Sequence, residues 1–212
     1  MEFSILIACY NEQDTIGTVL EYLITHYKQM PIIVVDNGST DNSANIIHNY
    51  PVLYIYEASK GKGNALRAGI KFITTSKVIL IDADNEYDAR DIKSLLNYSN
   101  NQLVMHVGIR PSSRMLIRSK LANFLIRIIF WIRFNVWIKD WLSGLRILPT
   151  NILKETTATG FAIETEINKI CLQQKVLINE VPINYKPRTI GKKIKAKDMF
   201  YLTIEAILWN LL

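Results

Sequence analysis

The sequence predicts an α/β fold in which a mostly parallel central sheet is flanked by helices. Three observations predict it. Short apolar runs at 3–9, 32–35, 52–56 and 77–82 alternate with stretches of helical periodicity. Each run ends in polar residues, as strands do when they open into loops along one edge of a parallel sheet. The chain has 212 residues, 49% of them hydrophobic, which is enough for one sizeable core and short for two. We expect a single domain over 1–212, with a first half at 1–110 and a second at 111–212.

The first strand is expected at 3–9. Asn11 or Asp14 then caps a helix reaching about Tyr27, with Ile16, Val19, Leu20, Leu23 and Ile24 on its inner face. A buried strand at 32–35 runs into the polar turn Asp36-Asn37-Gly38-Ser39-Thr40-Asp41, where Asp36 and Asp41 suit an Asx turn or a helix cap. A helix to about Asn49 and a strand at 52–56 follow. Gly61-Lys62-Gly63 starts a helix carrying Ala65, Leu66, Ile70 and Ile73, before a strand at 77–82. The second half loses this rhythm. Strands are expected at 102–109, 143–148 and 176–185, and helices in 115–138, 160–174 and 198–212, with a basic loop at 186–197. No repeat or linker interrupts the chain.

The stretch Val78-Ile79-Leu80-Ile81-Asp82-Ala83-Asp84-Asn85-Glu86 carries the strongest chemical signal. Alternate residues of an extended segment point the same way, so Asp82, Asp84 and Glu86 can converge at a strand end. Unpaired, they repel. A hard divalent cation removes the conflict, and magnesium commonly also binds substrate phosphates, which points to a nucleoside diphosphate. The alternative is a solvated acidic loop.

The net charge of +6 fits an anionic partner. Cys9 and Cys171 lie in apolar segments with no disulfide framework, so a reducing, cytoplasmic setting is expected. The start Met1-Glu2-Phe3-Ser4 lacks the basic stretch of a signal peptide. No unbroken apolar run reaches the roughly 18 residues of a membrane span. The turn Ala8-Cys9-Tyr10-Asn11-Glu12 has no glycines, which excludes a dinucleotide-binding fingerprint, and Gly61-Lys62-Gly63-Asn64 is not a P-loop.

The remaining motifs have a fixed order. Ala8-Cys9-Tyr10-Asn11-Glu12 is followed by Val35-Asp36-Asn37-Gly38, Lys60-Gly61-Lys62-Gly63 and Asp82-Ala83-Asp84. Then come Ser143-Gly144-Leu145-Arg146, Gly160-Phe161 with Glu164 and Glu166, and Glu180-Val181-Pro182-Ile183 before Arg188. This set resembles the inverting family 2 glycosyltransferases of GT-A fold. Within them it looks most like polyprenyl-phosphate sugar transferases of the dolichyl-phosphate mannose synthase type.

The resemblance implies a nucleotide-sugar donor held by Ala8, Tyr10, Asn11, Glu12, Asp36, Asn37, Lys60 and Gly63 in the 1–110 half. It implies Mg²⁺ or Mn²⁺ on Asp82, Asp84 and Glu86, with Asp82 and Asp84 catalytic. It implies acceptor or phosphate contacts from Arg110, Arg114, Arg127, Ser143, Arg188 and Lys193. Three departures from the family pattern stand out. Glu86 replaces a usual glutamine, Asn37 replaces a frequent aspartate, and Arg188-x-x-Gly191-Lys192-Lys193 keeps the basic character of a phosphate loop without its Ser-Lys register.

Family members that attack with a sugar hydroxyl need a base, commonly an acidic pair. Here 139–144 offers only Asp140, which is expected to order the segment. A lipid phosphate is already ionised and needs cations and alignment instead. Arg118 is a further candidate cation. The stretch 115–138 mixes Arg118, Lys120, Arg127 and Arg133 with Leu121, Phe124, Leu125, Trp131 and Trp137, as helices lying in a bilayer interface do. The alternative is a core helix with snorkelling arginines. The expected enzyme is therefore a hexosyltransferase acting on a polyprenyl phosphate, peripheral on the cytoplasmic face of a membrane, with room for a membrane-anchoring partner protein. A glycan or other hydroxyl acceptor, or a non-catalytic sugar-nucleotide-binding subunit, are the alternatives. Nucleic acid is not an expected partner, because the basic residues interleave with aliphatic ones instead of forming one stripe.

Overall fold

The computed structural model describes residues 2–98 and 104–188. The strands are β1 Phe3–Cys9, β2 Ile32–Asp36, β3 Leu53–Tyr56, β4 Lys77–Leu80, β5 Val104–Ile109, β6 Arg146–Pro149 and β7 Leu177–Pro182. The α-helices are α1 Ile16–His26, α2 Ser43–His48, α3 Lys62–Gly69, α4 Ile92–Leu96, α5 Ile117–Phe134, α6 Thr150–Lys154 and α7 Ile163–Gln173. The expected helix at 198–212, Lys193 and most of the basic loop lie outside the described residues, as do the first two positions of the expected strand at 102–109.

The strands form one sheet of order β3-β2-β1-β4-β6-β5-β7. β1 pairs parallel with β2 and β4, β2 with β3, and β5 with β7. β6 alone runs antiparallel, between β4 and β5. Its register sets Arg146 beside both Leu80 and Val107. The sheet is thus mixed but mostly parallel, and it takes strands from both halves of the sequence.

Side-chain alternation along β1 divides the core. Ile5, Ile7 and Cys9 pack with Ile16, Leu20 and Leu23 of α1 on one face. Leu6 packs with Ala65 and Leu66 of α3 and with Ile163 and Ile167 of α7 on the other. A third cluster joins Ile126 and Phe130 of α5 to Ile138 and Trp141. The helical spacing of Ala122, Ile126 and Phe130 makes this the inner stripe of α5. The outer face leaves Ile117, Leu121, Phe124, Leu125, Trp131 and Ile132 exposed. Phe134 turns back and stacks on Phe130, at 5.5 Å between ring centres. Asn135 ends the helix in the left-handed conformation, φ 52°.

Some boundaries differ from expectation. Neither Asn11 nor Asp14 caps α1: the Glu12 carbonyl accepts from the N–H groups of Thr15 and Ile16, and Thr15 occupies the cap position. Asp41 does support the start of α2, accepting from the Ser43 N–H at 3.0 Å. The last sheet strand before α6 begins at Arg146 instead of 143, because residues 143–145 form the approach to the site.

Candidate active site

The carboxyl ends of β1, β2, β4 and β5 meet at a cavity of about 380 Å³. Its lining includes Ala8, Tyr10, Glu12, Asn37, Lys60, Asp82, Asp84, Glu86, Arg110 and Arg188 of the residues singled out from sequence. This is the crevice that ligands occupy in parallel α/β sheets.

After β1, Asn11 takes a left-handed conformation, φ 51°, and its side chain bonds the 39–40 turn. Its carbonyl oxygen accepts from the Thr40 N–H at 2.7 Å. Asn11 therefore joins two loops and does not line the cavity. Asp36 does not line it either. Its carboxylate accepts from the Ser39 N–H at 2.9 Å and the Tyr54 hydroxyl at 3.0 Å. The Asx-turn role wins at this position because both oxygens already have donors. Asn37 is also a knot, donating to the carbonyls of Glu57 and Ser59 and accepting from the Gly61 N–H at 2.6 Å. Lys60 lies 4.1 Å above the Tyr10 ring and donates to the Asn37 and Gly38 carbonyls.

Gly63 lies beneath the 158–160 loop. A Cβ there would come within 2.0 Å of the Ala158 carbonyl oxygen, so no other residue fits. Gly63 thus permits a close backbone approach and does not itself line the cavity. The segment is fixed by the Gly63 N–H to Gly160 and the Asn64 N–H to Thr159. Glu166 holds the same loop by accepting from the N–H groups of Thr157 and Ala158. This clamp aims Lys62 into the crevice. Its ammonium lies 2.5 Å from Asp82 and 2.6 Å from Glu164. Burial opposes the charge, but the two carboxylates hold the lysine protonated above its ordinary range. No role was assigned to Lys62 or Glu164 from sequence. They are 102 positions apart, so only their common order with other motifs hinted at a pair.

After β4, Asp84 is pushed up to about 7 by burial, then by Asp82 and Glu86. Three acids do not converge, however. Glu86 accepts from the Tyr185 hydroxyl and from the Arg188 N–H at 3.0 Å. It holds the strand end after β7, which corrects its assignment as a third metal ligand. Among the described residues no group of three acidic, histidine or cysteine side chains is arranged to hold a metal ion. Asp82 and Asp84 still fit a hard divalent cation, since one or two carboxylates with substrate phosphates suffice for magnesium. A cation would also relieve the repulsion that raises Asp84. Asp82 is backed by Gly144, where a Cβ would stand 2.4 Å from its carboxylate. Arg188 binds Glu12 through two contacts of 2.6 Å and reaches within 3.8 Å of Asp84.

On the other wall Arg110 pairs with Asp140 through two contacts of 2.7 Å, with both residues buried. The Arg110 backbone N–H adds a third donor to Asp140 at 3.1 Å, and Asn123 of α5 a fourth at 3.0 Å. Burial alone would raise the Asp140 carboxyl, but Arg110 pulls it below the ordinary range. Arg146 is wholly buried and donates to the Ser143 and Trp141 carbonyls and to Asn168. Three expected phosphate contacts lie elsewhere. Arg114 is exposed and donates to the Tyr185 carbonyl at 3.4 Å. Arg127 sits over Trp137 and donates to the Lys139 carbonyl, strapping α5 to the segment after it. Ser143 is buried and does not line the cavity. Ser119, Leu142, Phe161, Tyr87 and Tyr185 line the cavity without having been singled out for it.

The profile described as Glycosyl transferase family 2 matches residues 4–141. The chain belongs to that family. It is 28% identical over 198 residues to glycosyltransferase AglJ of Haloferax volcanii, covering 88% of this chain and 64% of AglJ. It therefore spans less than two thirds of that relative. It is 33% identical over 111 residues to protein RfbJ of Shigella flexneri, covering 52% of this chain and 86% of RfbJ. Mannosyl-3-phosphoglycerate synthase from Rubrobacter xylanophilus superposes with a TM-score of 0.82 at 17% identity, over 100% of this chain and 74% of that one. Glucosyl-3-phosphoglycerate synthase from Mycobacterium tuberculosis, in complex with Mn²⁺, uridine diphosphate and glucosyl-3-phosphoglycerate, gives 0.72 at 16%, over 99% and 79%. These likenesses show the GT-A fold. The family match by itself specifies no acceptor.

Proposed function

We propose that this chain is a metal-dependent inverting glycosyltransferase that moves a sugar from a nucleotide-sugar donor to a polyprenyl phosphate at a membrane surface. One juxtaposition carries the reading. The cavity that holds Asp82 and Asp84 also takes in Ser119 of α5, and α5 turns Ile117, Leu121, Phe124, Leu125, Trp131 and Ile132 to solvent. An apolar helix face beside an acidic, phosphate-ready crevice suits an acceptor with a charged head and a lipid tail.

In this reading Tyr10 and Lys60 face the donor's nucleoside, and Asp82 and Asp84 hold Mg²⁺ or Mn²⁺ at its diphosphate. The ion, once bound, would stabilise the charge growing on the departing nucleoside diphosphate. Arg188 lies close enough to Asp84 to meet the same phosphates. The acceptor phosphate is ionised at neutral pH, so an oxygen can attack the anomeric carbon without losing a proton. That matches the state of Asp140, whose oxygens are taken by Arg110 and Asn123. No described helix is long and apolar enough to cross a membrane, so contact through α5 would be peripheral. Nearby basic residues would add attraction to anionic lipid, on the order of 1 kcal/mol each.

The test is a transfer assay with a panel of nucleotide sugars and Mn²⁺, comparing polyprenyl phosphates in anionic vesicles with soluble glycans. Transfer to the lipid is expected. Transfer to glycans alone would establish the hydroxyl-acceptor alternative, and nucleotide binding without turnover would establish a non-catalytic subunit.

A further inference from the structure

We propose that Lys62 is a resident counter-ion of the donor site. In the donor-free protein its ammonium neutralises Asp82 in competition with a divalent ion. On donor binding it keeps Glu164 and turns to the incoming diphosphate. The inference rests on the glycosyl-transfer reading and goes beyond it, assigning this lysine two successive partners.

The geometry requires one ammonium to serve two carboxylates. Lys62 contacts Asp82 at 2.5 Å and Glu164 at 2.6 Å. Its side chain is 13% exposed, against 26% for Asp82 and 9% for Glu164. Glu164 is the deeper anchor, near the start of α7, and Asp82 is the partner facing the cavity. Gly144 backs Asp82, so the carboxylate presents itself to Lys62 or to a ligand, with little freedom to retreat. The Gly63 clamp fixes the lysine's backbone, yet its four-carbon stem remains flexible and its ammonium has three rotatable donors. Of the other cations lining the cavity, Arg110 pairs with Asp140, Lys60 donates to backbone carbonyls, and Arg188 binds Glu12 and stands 3.8 Å from Asp84 and Glu86, so Lys62 is the one in contact with Asp82 among the described residues. Glu12, Asp82, Asp84, Glu86 and Glu164 all line the same cavity. Without Lys62 the Asp82 side of that cavity would carry uncompensated charge, costly at this burial.

The consequence is that a divalent ion and Lys62 oppose each other in the donor-free protein but cooperate once a diphosphate is present. The phosphates supply the anionic partner that lets the lysine leave Asp82. Metal alone should therefore bind weakly, and metal with nucleoside diphosphate strongly.

The experiment measures Mn²⁺ binding to the full chain by electron paramagnetic resonance, first without nucleotide, then UDP and GDP binding at saturating Mn²⁺. Lys62→Met should bind Mn²⁺ alone about tenfold more tightly, because a neighbouring positive charge is gone, and bind the nucleoside diphosphate about tenfold more weakly. A purely structural lysine would weaken both. Lys62→Arg, which keeps the charge, should not tighten Mn²⁺ binding. Weaker or unchanged Mn²⁺ binding in a folded Lys62→Met protein overturns the inference. If Lys62→Met does not fold, Glu164→Gln decides. It leaves the ammonium to Asp82 alone and should weaken Mn²⁺ binding, whereas equal or tighter binding overturns the inference. Wild-type protein that binds neither Mn²⁺ nor nucleotide would remove the glycosyl-transfer reading as well, which separates the two failures.

Discussion

On the wall built from the ends of β1 and β4, Glu12, Asp82, Asp84 and Glu86 share few cations, and Asp84 is driven up to about 7. On the wall built from β5 and the segment before β6, Arg110 is paired with Asp140, and behind it Arg146, the first residue of β6, is enclosed by Asn168 and backbone carbonyls. Both walls bury charge. The first leaves it imperfectly matched and open to the cavity, and the second satisfies it internally. Imperfect matching is what an exchangeable cationic ligand needs, while a closed network fixes the geometry around it. Perturbed groups in a cleft mark a site for this reason.

The contrast breaks most sharply at Asp84. Asp84→Ala should reduce transfer by about a thousandfold or more, as losing a key electrostatic contact does, while leaving thermal stability near wild type. EDTA should stop the wild-type reaction and Mn²⁺ should restore it. Near-normal activity of Asp84→Ala with metal present would remove the metal assignment.

The closed wall should respond in the opposite manner. Asp140→Asn leaves Arg110 buried without its counter-charge and should cost about 3 kcal/mol or more in urea unfolding. An Asp140→Asn protein of full stability but without transfer would instead identify Asp140 as the base of a hydroxyl acceptor.

Arg188 sharpens the boundary between the walls, since it is tied to Glu12 yet close to Asp84. Arg188→Ala should raise the donor KM about tenfold, through loss of one charge-assisted contact, with a smaller effect on kcat. Equal loss in both would point to a role in the transition state.

The smallest effect is expected on the outer face of α5. Trp131→Ser with Ile132→Ser should leave unfolding unchanged, because both side chains are exposed. Flotation with anionic liposomes should fall several-fold, in proportion to the apolar area lost. Phe134 is not a useful probe, since it packs on Phe130. Liposome binding that ignores both substitutions would reassign this face.

The sequence alone determined the alternating strands and helices, the β1 limits, and the placement of Tyr10, Glu12, Asp82 and Asp84 along one edge. These follow from local periodicity and from the direction of parallel strands, which any short window carries. It also determined that Asp140 would order its segment. The tertiary structure alone decided which charged residues meet. Glu86 could be read from its spacing as a third ligand, but Tyr185 and Arg188 take its oxygens from 99 and 102 positions away. Asp36 looked equally suited to a ligand, but Tyr54 and Ser39 take its oxygens. Arg127 and Arg114 looked like phosphate ligands, yet their positions on and before α5 turn them from the cavity. Lys62 gave no local sign of its role because Glu164 arrives on α7 only when the 158–160 loop closes over Gly63. An ion pair acts through distance in space, and distance in space between remote segments is set by how the sheet is wound.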